Sequence, residues 1–235
     1  MSDIGSRYHN DLLECGFKEL PPTNQFSGVG RLYSLPQEYG NGIYWVYSEK
    51  DLYDIKIHDF CFHKDSFFNF GIPQGCLGIC YYESISGEEI LPYRRLTAGC
   101  VKSFIGGTEP CKTLIHKNTP VRSVDIEITP AYYEHYLKAK FPNEYINPLE
   151  AFSNIALTDR FPEMIQLLRQ IKNYKGNGIA AKLFFESKLT EAISLIMEYN
   201  KQQPPLPSIK LSKADLLALN LSLIHISEPT RLRCI

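Results

Sequence analysis

No run of 18 consecutive apolar residues occurs anywhere in this chain, so no part of it reads as a membrane-spanning helix. Its first fifteen residues lack the basic patch and apolar run of a secretory signal. Neither sign of charge is in excess: 25 Lys and Arg stand against 26 Asp and Glu, a net charge of −1. That balance gives no basic footprint for nucleic acid. C-x-x-C pairs and H-x-H pairs are both absent, which removes the simplest redox and zinc signatures. No glycine-rich loop opens a helix after a strand, so a phosphate cradle has no support. These absences leave a globular protein of a reducing compartment, with the cytoplasm as the expected location.

What is present divides into a β half and an α half. Asn41-Gly42 is turn chemistry before the aromatic and β-branched run 43–48. Tyr53, Ile55 and Ile57 then alternate with Asp54, Lys56 and His58, the period of a half-buried strand. The apolar parity switches beyond Asp59, where Phe60 and Phe62 take over. A bulge or tight bend near His58-Asp59 is expected to bring both runs onto one inner face. Further strands are expected at 28–35, 77–83, 101–105, 112–116 and 121–128, after an irregular entry. Six or more short strands separated by turns argue for a sandwich or barrel, not a parallel sheet.

The period changes at Thr129-Pro130, a good cap followed by a residue suited to the first helical position. Helices are expected at 131–140, at 147–156 with Asn147 as cap, at 161–174, and from 179 to 202. The last one carries Phe185, Leu189, Ile193, Ile196 and Met197 in a stripe wider than one coiled-coil seam. Such width suggests burial against the chain's own domain and a surface shared with a second copy, weighed against burial in its own domain alone. A proline-rich linker at 203–210 and the first turns of another helix at 211–220 follow.

The run LSLIHISEPTR at 221–231 resembles a translated sequencing-library adaptor, so 221–235 is set aside as foreign and the native product is expected to continue past Asn220. Without that tail the chain holds 23 basic and 25 acidic residues. Cys15, Cys61, Cys76, Cys80, Cys100 and Cys111 are then its cysteines, read mostly as small core residues. Cys76 and Cys80 share parity on one strand and stand as candidates to neighbour a ligand pocket.

IKIHDFCFH at 55–63, YYESISGEE at 81–89, PYRRL at 92–96, LIHKNTPVRSVDIEITPAYYEHYL at 114–137 and AAKLFFESKLTEAISLI at 180–196 carry a family likeness. Together they resemble the N-terminal half of an AraC/XylS-type bacterial transcription regulator. LSKADLLAL at 211–219, with Ser212 as cap, resembles the entry into that family's DNA-binding domain. The resemblance implies an α+β chain. A mostly β, cupin-like effector-sensing sandwich or barrel would occupy 1–140, and a helical dimerisation bundle 141–202. A linker at 203–210 would lead to the truncated start of a helix-turn-helix domain at 211–220. It also implies a small-molecule effector, a homodimer, and DNA binding only through the missing C-terminal domain, with no membrane partner, no cofactor and no catalysis.

Trp45, Tyr47, Phe60, Phe62 and Tyr82 are the expected lining of the effector pocket, as aromatic residues on strands of the sandwich. A competing reading is a cupin-like small-molecule-binding protein or a metal-dependent cupin enzyme. Against a metal, His58 and His63 have opposite parity and no third ligand at an obvious spacing. Cys61 with His63 is a conceivable nucleophile and base, weighed against a packed strand face. Glu88 and Glu89 read as a solvated loop, and Arg94 and Arg95 are conceivable partners of an anionic effector, weighed against an ordinary surface position.

Overall fold

Two antiparallel sheets and a layer of helices make three stacked layers in the computed structural model, which describes residues 4–202 apart from 71, 91–92, 108–110 and 156. The larger sheet runs in the order β1 (Lys18–Leu20), β2 (Arg31–Ser34), β3 (Gly40–Glu49), β4 (Tyr53–Phe62), β11 (Val121–Ile128), β6 (Leu77–Ser84) and β9 (Cys100–Ile105). The smaller runs β5 (Ser66–Phe70), β10 (Cys111–Ile115), β7 (Gly87–Ile90) and β8 (Tyr93–Leu96). The large sheet is the middle layer: the small sheet covers one face and the helices that follow the last strand cover the other.

A strand buried on both faces sends alternate residues into two different environments. On β4, Tyr53, Ile55 and Ile57 join the core under the helices, while Phe60 and Phe62 join the core between the sheets. The bulge expected at His58-Asp59 is not there. β4 pairs with β3 from Gly40↔Phe62 to Glu49↔Tyr53, and with β11 from Val121↔Phe60 to Ile128↔Tyr53, without a shift of register. The parity change marks a change in which face is apolar, not a kink. The irregularity lies instead between Arg122 and Ser123, in the pairing of β11 with β6.

The entry is not irregular either. α1 (Ile4–Glu14) packs Tyr8 and Leu12 against the sandwich interior, and Leu12 is fully buried. Glu88 and Glu89, expected in a loop, lie on β7, which pairs with β8; on β8 Arg94 is half-buried and Arg95 exposed, as a surface position implies. Thr129 does cap the next helical segment, its hydroxyl accepting from Tyr132 N–H at 3.3 Å. That segment winds as a π-helix over Ala131–Leu137 before the short α2 (Lys138–Lys140). Asn147 accepts from Leu149 N–H at 3.0 Å and starts α3 (Leu149–Ser153).

α4 (Pro162–Asn173) and α5 (Gly178–Gln202) complete the helical layer. Phe185, Leu189 and Ile196 of α5 are fully buried in the core that the helices share with the large sheet. Each such burial stabilises by roughly 1.5–3 kcal/mol. Phe185 meets Trp45 and Tyr47 of β3 at ring-centroid distances of 5.7 and 5.2 Å. The loop before β2 is tied to the same place, because Trp45 Nε1 donates to Ser27 O at 3.0 Å and Ser27 Oγ to Gly176 O at 2.5 Å. Arg169 of α4 donates to Tyr81 OH of β6 at 2.7 Å. Among the described residues no helix is long and apolar enough to cross a membrane. The linker at 203–210, the helix start at 211–220 and the tail at 221–235 lie outside the described residues.

Candidate functional site

Between the two sheets lies a cavity of about 140 Å³. The large sheet contributes Tyr44 from β3, Lys56, His58 and Phe60 from β4, Val121, Ser123, Asp125 and Glu127 from β11, Cys80 and Tyr82 from β6, and Lys102 and Phe104 from β9. The small sheet contributes Glu89, Leu96, Thr113 and Ile115, and α1 contributes Tyr8. Phe104 lies over Gly78 across β6 and β9, where a Cβ would displace its ring.

The polar residues come from the strict alternation of two neighbouring strands. β4 and β11 pair Asp54 with Glu127, Lys56 with Asp125 and His58 with Ser123. All six are buried. Lys56 Nζ donates to Glu127 Oε2 at 2.7 Å and to Tyr8 OH at 2.6 Å, and the Tyr8 hydroxyl donates to the same Glu127 oxygen at 2.7 Å. Asp54 Oδ1 lies 3.2 Å from Lys56 Nζ without hydrogen-bond alignment. The ammonium also sits 3.9 Å from the centre of the Tyr8 ring.

Burial disfavours each of these charges, and the group settles the conflict unequally. Burial, with Glu127 beside it, pushes the Asp54 carboxyl well above the usual carboxylate range, although Lys56 opposes the shift. For Lys56, burial acts downward, but Asp54, Glu127 and the two tyrosines Tyr8 and Tyr44 outweigh it and hold the ammonium well above the ordinary lysine range. Lys56 is thereby held as an ammonium among its acceptors, and Asp54 gives up its proton less readily than an ordinary carboxyl.

Further along the cavity, His58 Nδ1 shares a hydrogen bond with Ser123 Oγ at 2.5 Å and lies 3.8 Å from Asp125 Oδ2. Tyr44 packs edge-on against its ring at 4.4 Å. At the opposite wall Lys102 pairs with Glu89. Glu89 is therefore not part of a solvated loop: β7 turns it inward, and it is 6% exposed. Burial raises the Cys80 thiol well above its ordinary range, helped by Asp125, and pushes Cys76 up to about 12, helped by Glu127. Neither thiol is activated as a nucleophile. Among the described residues no group of three or more His, Cys, Asp and Glu side chains is placed to hold a metal ion.

Burial lowers the His58 pKa, against the pull of Asp125, so the folded state holds the ring neutral. Below about pH 6.5 the unfolded chain takes up a proton that the folded chain resists. The His58 contribution is thus complete above that pH and is lost as pH falls toward its depressed folded value. Asp54, with its raised pKa, acts in the opposite sense, so the test is a difference. His58→Gln should flatten the acid-side loss of stability relative to wild type, by up to about 1.4 kcal/mol per pH unit. Urea melts from pH 7.5 to 5 measure this, and parallel curves for the two proteins would contradict it.

Of the five aromatic residues expected in the pocket, Phe60 and Tyr82 line the cavity. Phe62 lies in the core between the sheets beside Phe60, 5.3 Å between ring centroids. Trp45 and Tyr47 face the other way, into the helices. Their neighbours Tyr44 and Val46 are the β3 residues that point between the sheets. The stripe on α5 needs a similar correction. Phe185, Leu189, Ile193 and Ile196, expected to meet a second copy, are at most 5% exposed within the chain's own core, and Met197 packs half-buried against it. The stripe is wide because the helix lies on a broad sheet. Its outer side carries Ile179 and Leu183, 71% and 59% exposed, among polar residues.

The model of the family described as the regulatory protein PchR N-terminal domain matches residues 55–211, from within β4 through β11, α4 and α5. No curated protein sequence matches the chain. Among solved structures it is similar to an apo form of ToxT from Vibrio cholerae, at 14% identity over 77% of this chain and 67% of that one, with a TM-score of 0.44. It is also similar to the AraC-like transcriptional activator CuxR, at 10% identity over 93% of this chain and 75% of that one, TM-score 0.41. A third likeness is to HutD from Pseudomonas fluorescens, 14% identical over 48% of this chain and 56% of that one, TM-score 0.27.

Proposed function

The chain belongs to the family of PchR-type regulatory N-terminal domains, and on that premise we propose that the cavity between its sheets is where it takes a small-molecule effector. It is thereby read as the effector-binding regulatory part of an AraC-type transcription regulator, not as an enzyme. The observation that carries the proposal is the buried polar ladder of β4 and β11. A core needing only to pack would not place Lys56, His58, Asp125 and Glu127 around a cavity, since each buried polar group costs stability unless it is partnered.

The same strands present their other faces to α4 and α5, so one layer of sheet separates the effector from the helices. Ile55 and Ile57 back the positions of Lys56 and His58, and Tyr81 backs Cys80 and Tyr82 and holds Arg169 of α4. An effector that binds two arrangements of this sheet with different affinity shifts the helices by that difference alone. Trp45, the sole tryptophan, reports on α5 through Phe185. Pairing of two copies would use the outer side of α5, around Ile179 and Leu183, because the inner stripe is occupied.

A thermal-shift panel of sugars, organic acids, amines and siderophores tests the reading on wild type and on Val121→Phe, which fills the cavity from its wall. At least one compound is expected to raise the wild-type Tm by several degrees and to leave the variant's unchanged, about 2.7 kcal/mol of stabilisation corresponding to a concentration of ~100 Kd. Equal shifts in both proteins would place the binding elsewhere.

A further inference from the structure

We infer that the effector is a small organic cation, an amine or amidine on a compact apolar body, and that Asp125 is its anchoring acceptor. This rests on the cavity being the effector site. Charged groups on the cavity wall are three carboxylates, Glu89, Asp125 and Glu127, and two ammoniums, Lys56 and Lys102. Both ammoniums are already engaged, Lys56 by Glu127 and Tyr8, Lys102 by Glu89. Asp125 is the carboxylate left over.

Its geometry agrees with that count. Asp125 is 9% exposed, its Oδ2 lies 3.8 Å from His58 Nδ1, and its Oδ1 is fully buried with no hydrogen-bond partner among the described residues. Glu127 is fully buried; its Oε2 serves both Lys56 and Tyr8, while its Oε1 has no hydrogen-bond partner among the described residues. Two acceptors in one cavity therefore lack donors, and a buried acceptor left unmatched is costly. The donors beside these carboxylates are weak or already committed: the Cys80 thiol bonds to Asp125 and the Cys76 thiol to Glu127, the Lys56 ammonium is shared among neighbours, and His58 is engaged with Ser123. A ligand that brings N–H donors and one positive charge satisfies both oxygens and neutralises the wall. An anion would add a second uncompensated negative charge at low dielectric, or would have to strip a lysine from its carboxylate.

Size and the remaining wall complete the description. A cavity of about 140 Å³ is close to the ~150 Å³ that holds one benzene ring. Phe60, Tyr82 and Phe104 supply aromatic surface around it, which suits an apolar body and attracts a cation.

The test uses three probes of one shape, benzylamine, benzyl alcohol and benzoate, titrated calorimetrically at pH 7.5 into wild type, Asp125→Asn and Val121→Phe. Benzylamine should bind wild type about tenfold or more tighter than benzyl alcohol, and Asp125→Asn should remove most of that advantage while changing benzyl alcohol by less than about twofold. Benzoate should not bind. The wild-type probe series decides the matter even if a variant folds poorly. Benzoate or benzyl alcohol binding best, with Val121→Phe abolishing it, would overturn the cation inference and leave the cavity as effector site. Benzylamine bound equally by wild type and Asp125→Asn would overturn the anchoring role. Failure of all three probes would overturn the inference, while the thermal-shift panel decides separately whether the cavity takes any effector.

Discussion

Lys56→Met should destabilise the protein by about 3–5 kcal/mol, because it strips the only ammonium from a site where Asp54 and Glu127 are both fully buried. For a chain of this size that corresponds to a fall in Tm of about 10 °C. The loss comes less from the ion pair itself than from the carboxylates left behind. Replacing the group as a whole, by Lys56→Met with Asp54→Leu and Glu127→Leu, should therefore recover much of the stability that the single change removes. Denaturant melts of the single and triple variants measure this. Additive losses across the three positions would show that the residues act separately. Such a result would remove the reason for reading them as one polar site held in the core at a cost.

Ile196→Glu is the second large effect. Ile196 is fully buried between α5 and the large sheet, so a glutamate there meets apolar neighbours and no partner. The chain should unfold or lose about 4 kcal/mol or more. Leu183→Glu, on the outer side of the same helix and 59% exposed, should change stability by about 0.5 kcal/mol or less. Circular dichroism and light scattering distinguish the outcomes. A folded monomer from Ile196→Glu, derived from a wild-type dimer, would return that residue to an interface between copies.

The sequence displayed its strands clearly because turns and β-branched runs are local signals, and most of the large sheet falls where those signals put it. Which face of each strand points where is not local. Tyr53, Ile55 and Ile57 alternate with Asp54, Lys56 and His58, a pattern with the same appearance whether the polar face meets water or a closed interior. Only the small sheet, laid over that face, decides the matter. Its strands β7 and β8 are four residues each and rich in charge, so they carried little strand signal of their own. The same ambiguity sent Trp45 and Tyr47 to the cavity and left Tyr44 out of it. A sharper signal was available in the register: polar residues at every second position on both β4 and β11, ending in Asp54↔Glu127, Lys56↔Asp125 and His58↔Ser123 once paired. On α5 the width of the stripe was legible, but a broad sheet and a second helix ask for the same residues.

The central claim is that the effector binds between the sheets and is felt through the large sheet by the helices. Methyl-selective NMR of the full chain, titrated with the best compound from the panel, tests it most directly. Ile85, Ile115 and Val121 line the cavity, Ile55 and Ile57 stand on the far face of β4, and Ile179 lies exposed on α5. The cavity methyls should shift most, Ile55 and Ile57 less, and Ile179 least. Shifts led by Ile179 and Leu183, with Ile85, Ile115 and Val121 unmoved, would contradict the account.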